Sequence, residues 1–72
     1  MSGDLDARLL AAHAAGDSAA LVRLYSDAAD AAASEDAAGF FLTHAYIFAL
    51  ELGAAEARQI RARLVRMGRD TG

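Results

Sequence analysis

Apolar side chains recur every three to four positions almost from end to end of the 72 residues, the period of helices that each bury one face. Leu5, Leu9 and Ala12 lie on one line, with Leu10 beside it. Leu21, Leu24, Tyr25, Ala28 and Ala32 share one side of a second segment, opposite Arg23, Ser26, Asp27 and Asp30. In a third, Phe41, Leu42, Ala45, Tyr46, Phe48, Ala49, Leu50 and Leu52 fill an arc of about 200°, wide enough to touch helices on more than one side. Ala57, Ile60, Leu64 and Met67 form the stripe of a fourth. This pattern makes the third helix the central element, with Phe41, Tyr46 and Phe48 as its least exposed large side chains.

The residues between these stripes are helix signals. Ser2 or Asp4 can cap a first helix that runs to Ala15; Gly16 suits a left-handed terminal position, and Asp17 and Ser18 can cap the next helix, over 18–33. Ser34, Glu35 and Asp36 supply a cap and first-turn acids for the third helix, Gly53 ends it, and the fourth spans 54–67 before Gly68. Four helices joined by such short turns lie antiparallel, neighbour to neighbour. The expectation is one all-α domain over 4–68, arranged as two αα-hairpins, with flexible termini at 1–3 and 69–72.

Composition narrows the picture. The apolar share is 56%, but 20 of those residues are alanine, so few large side chains remain to build a core. No proline interrupts the chain, and β-branched residues are few, which favours helix throughout. Without cysteine there is no disulfide framework and no thiolate metal site. The acidic start, Asp4 and Asp6, is unlike a secretory signal, and the most apolar stretch, 40–52, is short of the roughly 20 residues that span a bilayer. The expected setting is cytoplasmic, with no membrane partner. All seven basic residues are arginine, which with the alanine content suggests a GC-rich, bacterial genome.

The layout repeats. At an offset of 37 residues Leu5 falls on Leu42, Leu9 on Tyr46, Ala12 on Ala49 and Gly16 on Gly53, so each half reads as helix, glycine turn, helix. Leu5, Gly16-Asp17, Tyr25 and Ala28 stand at spacings similar to those of a tetratricopeptide repeat, and the chain resembles that family at the level of fold. It departs from the pattern at Arg8 and Ala12, where larger apolar residues are usual, at Arg58 and Ala62 in the second half, and in having no closing proline. The resemblance implies a scaffold for protein partners and assigns no individual residue.

Candidate chemistry is sparse. His13 and His44 are the only histidines, and neither sits in a nucleophile, zinc or phosphate motif. His13 and Asp17 are separated by the helix-ending Gly16, which leaves His13 as a helix-end histidine that suits the dipole. His44 and Glu51 share a face, but two ligands do not close a metal site. No catalytic residue, metal or cofactor is assigned, and the protein is read as not an enzyme.

Two features stand out against this background. Phe40 and Ile47 fall among Thr43, His44 and Glu51, away from the apolar arc, so two large apolar residues occupy the polar side of the third helix. Either the first helix or the chain termini fold over them or they form a docking patch; a two-fold contact would set the stripe against its mate or against the partner's first helix. The second feature is charge. Net charge is −3, but residues 1–36 carry −5 (seven acids against two arginines) and residues 37–72 carry +2 (three acids against five arginines). Arg58, Arg61, Val65 and Arg69 cluster on one side of the fourth helix, flanked by Arg63 and Arg66. Pairing with Asp27, Asp30, Glu35 or Asp36, or solvation, accounts for this cluster better than nucleic acid does, given the overall acidity, the absence of lysine and the lack of a nucleic-acid motif. The reading is a non-enzymatic interaction or adaptor module that forms a homodimer. Its candidate partner-binding residues are Phe40, Ile47, His44, Glu51, Arg58, Arg61 and Arg69. The alternatives are an accessory subunit holding a small ligand around Tyr46 and His44, and nucleic-acid binding through the arginine face.

Overall fold

Three glycines set where helices stop. A computed structural model describes residues 2–69 and orders them as α1 (Ser2–Ala15), α2 (Ser18–Asp30), α3 (Glu35–Leu52) and α4 (Glu56–Arg66). Gly16, Gly53 and Gly68 follow α1, α3 and α4 with φ of 65°, 68° and 73°, a conformation that costs a residue with a Cβ. Each closes its helix with the same pair of bonds: the glycine N–H donates three residues back, and the next N–H donates five back, as in Asp17 N to the Ala12 carbonyl at 3.0 Å and Ala54 N to the Ala49 carbonyl at 2.9 Å. Starts are equally local. Asp17 accepts from the Ala20 N–H and Ser34 from the Ala37 N–H, both at 3.1 Å, so the α1–α2 turn needs only Gly16 and Asp17.

The element boundaries differ from the sequence expectation in three places. α2 ends at Asp30 instead of 33, because 31–34 must reverse the chain without a glycine and Ser34 takes an extended conformation (φ −140°, ψ 160°). α4 begins at Glu56, with Ala54 and Ala55 forming a turn and no side chain capping the helix. α1 already begins at Ser2, and Arg69, expected in a loose tail, lies against α3. The remaining terminal positions, 1 and 70–72, lie outside the described residues.

The helices pack in chain order: α1 on α2, α2 on α3 and α3 on α4. The result is a slab with Cα extents of 31 × 29 × 13 Å. Leu42, Ala45 and Ala49 of α3 are wholly buried and join Val22 and Ala29 of α2 with Ile60 and Leu64 of α4. A smaller cluster fixes α1 through Ala12 against Leu21 and Leu24. Alanines at the α3 contact let the backbones approach closely, which is how a chain with few large side chains still excludes water.

The broad α3 arc is only partly covered. Leu42, not an aromatic, is the largest side chain with no exposure among the described residues, whereas Phe41, Tyr46 and Phe48 are half-buried and Leu50 and Leu52 are 54% and 48% exposed. A wheel shows direction alone; in a slab one or two helices thick, no element lies over the flanks of the arc. The central role of α3 holds, since both α2 and α4 pack on it.

Candidate functional site

The outward face of α3 carries Phe40 at 59% exposure, Ile47 at 48% and Leu50 at 54%, with Thr43 and Glu51 also exposed between and beyond them. Neither α1 nor a described terminal residue folds over Phe40 and Ile47, so the covering-segment alternative does not occur among the described residues. Leu50 extends the strip. It borders the buried side of the wheel, so periodicity alone places it in the core, and no sequence signal places it outside.

Polar groups of this face are satisfied within α3. Thr43 Oγ1 donates to the Gly39 carbonyl at 2.8 Å, and His44 Nδ1 donates to the Phe40 carbonyl at 2.9 Å. The His44 ring is held between Phe40 (ring centroids 4.5 Å apart) and Tyr25 of α2 (5.0 Å, stacked). Such aromatic contacts restrict rotamers and fix Phe40 in place on the surface. His44 turns toward α2 while Glu51 stays in solvent, so the structure does not bring those two together. Tyr46 lies 200° around the helix from His44 and packs on the α2–α3–α4 core, so these residues do not line one pocket.

Tyr25 is the hub that the sequence did not reveal. It stacks on Phe48 (6.0 Å, 8° between planes), approaches Phe41 (6.3 Å) and shares a hydrogen bond with His13 Nε2 at 2.9 Å. His13 also meets Phe48 edge-on at 5.7 Å. This cluster ties α1 to α2 and α3 behind the exposed strip, and it gives His13 a specific partner in addition to its place in the last turn of α1. The signal was absent because His13 and Tyr25 meet through an interhelical offset that spacing along one helix does not encode.

The arginines divide by role. Arg63 donates to Asp30 of α2 at 2.9 Å, and Arg69 pairs with Asp36 of α3, both acids among those named as candidate partners. These pairs brace α4 and the segment after it. Arg58, Arg61 and Arg66 surround Ala62 and Val65 on the exposed side of α4, where Val65 is 50% exposed. Among the described residues no three His, Asp or Glu side chains converge where a metal ion could be held, and no helix is long and apolar enough to cross a membrane.

These features define a four-helix, all-α hairpin domain with an exposed apolar strip. No protein-family model, curated protein or solved structure matches the chain.

Proposed function

We propose that this chain is a non-enzymatic protein–protein interaction module that self-associates through α3, built on an αα-hairpin scaffold similar to tetratricopeptide repeats. The observation that carries this reading is the strip of Phe40, Ile47 and Leu50 on the outward face of α3. A chain with so few large apolar side chains that nonetheless leaves three of them exposed on one helix face has an interface to fill. Burial on association favours binding by about 1.5–3 kcal/mol for each fully buried side chain. Thr43 and Glu51 then occupy the polar border that interfaces keep. The scaffold reading is supported by packing in chain order, which leaves the outer faces of a helical array available to partners.

The test is a double variant, Phe40→Asp with Ile47→Asp. Circular dichroism should show unchanged helicity, and sedimentation should show association lost. Unfolding of this variant would place both residues in the intramolecular core, and unchanged association would place the interface elsewhere.

A further inference from the structure

The surface that fills the α3 strip is identifiable from charge and register, granted the self-association reading above. Two exposed apolar patches carry opposite rims. On α3, Phe40, Ile47 and Leu50 are flanked by Glu51 at one end and by Glu35 and Asp36 at the other. On α4, Val65 and Ala62 are flanked by Arg58 and Arg66.

Pairing α3 with α3 of a second copy brings like charges together. In an antiparallel arrangement centred between Phe40 and Ile47, Glu51 falls opposite residue 36, where Glu35 and Asp36 outnumber Arg69. In a parallel arrangement Glu51 falls opposite itself. Like-charge contacts of this kind select against an interface.

Glu51 and Arg58 are also placed against local preference. Glu51 lies in the last turn of α3, which has no basic residue, and Arg58 lies in the first turn of α4. Each charge sits at the helix end whose dipole disfavours it. Neither has an ion-pair partner among the described residues. Charges that violate a local rule on both sides of one turn fit a partner outside the chain.

We infer that the α3 strip of one copy docks antiparallel on α4 of a second copy, and reciprocally, closing a two-fold dimer. With Glu51 opposite the second copy's Arg58, equal rise along both helices sets Ile47 over the second copy's Ala62 and its Val65 between Ile47 and Phe40. The small side chain of Ala62 leaves room for Ile47. The exposed apolar residues Ile47, Leu50 and Val65 form the centre of this contact, Phe40 lies at the end where α4 stops at Arg66, and Glu51 and Arg58 form its charged rim.

The experiment compares wild type, Glu51→Arg, Arg58→Glu and an equimolar mixture of the two variants by sedimentation velocity. Wild type should be dimeric, and each variant alone monomeric, with Kd raised at least tenfold. The mixture should restore the dimer, because every contact in the mixed pair again joins opposite charges. Both substitutions agree with their helix dipoles, so each monomer should melt no lower than a monomeric Phe40→Asp/Ile47→Asp reference, which separates lost association from lost folding. A dimer that survives Arg58→Glu but not Phe40→Asp/Ile47→Asp overturns the α4 assignment and leaves self-association standing. Failure of the mixture to dimerise overturns it as well. A monomeric wild type overturns the self-association reading itself.

Discussion

Gly39 lies beneath the side chain of Arg69: a Cβ built on Gly39 would stand 2.5 Å from Arg69 Cδ and 2.6 Å from Nε. The missing side chain on α3 is therefore the seat over which Arg69 reaches Asp36. Alanine at position 39 gains about 1 kcal/mol of helix propensity but displaces Arg69 and forfeits an exposed pair worth at most about 1 kcal/mol. Gly39→Ala should thus be near neutral in the wild-type background and stabilising by about 1 kcal/mol in Arg69→Ala. Urea denaturation of the four proteins checks this; equal effects in both backgrounds would show that Gly39 does not seat Arg69.

The burial of Leu42 orders the core substitutions. Leu42→Ala removes a side chain with no exposure and should cost about 3–5 kcal/mol, close to the ~5 kcal/mol at the low end of domain stabilities. Phe48 is half-buried, so Phe48→Ala should cost less, about 2–3 kcal/mol. Thermal and urea melts rank the pair. A Phe48 variant less stable than the Leu42 variant would make the aromatic cluster, not the α2–α3–α4 seam, the centre of stability.

Tyr25 and His13 should couple. Tyr25→Phe removes the hydroxyl that meets His13 Nε2 and should cost about 0.5–1 kcal/mol, the range of one partly exposed hydrogen bond. In a His13→Ala background the same change should cost almost nothing. A double-mutant cycle measures the difference, and no coupling would mean that the bond contributes nothing in solution.

The sequence pattern reaches the local geometry of this fold and stops short of its tertiary packing. Helix ends were legible because capping is local: Gly16, Gly53, Ser34 and Asp17 act on backbone groups a few residues away. The outward direction of Phe40 and Ile47 was legible for the same reason, since helical geometry fixes direction. Whether a neighbour arrives at a given direction is not local. Leu50 and Leu52 were placed inside because their side of α3 looked apolar, yet α4 leaves both about half exposed. The pairs Arg63–Asp30 and Arg69–Asp36 each join residues 33 apart, so the acids were foreseeable as partners while the pairing was not. The His13–Tyr25 contact depends on how far one helix slides past the next, which no single-helix pattern records.

The arginine face should not hold nucleic acid. Arg63 and Arg69 are engaged with Asp30 and Asp36, and the chain is acidic overall. Binding to generic DNA or RNA at physiological salt should be weaker than about 10⁻⁴ M, the loose end of non-specific affinity. Fluorescence anisotropy with labelled oligonucleotides checks this. Tight binding that falls with salt and disappears in Arg58→Ala/Arg61→Ala would reassign the face.

Self-association through α3 is tested most directly by the solution mass of the wild-type chain, followed by light scattering across a concentration series. The mass should approach twice the 7.5 kDa of one chain as concentration rises, with no growth beyond that value, because a two-fold contact closes on itself. A mass of 7.5 kDa at every concentration would contradict it.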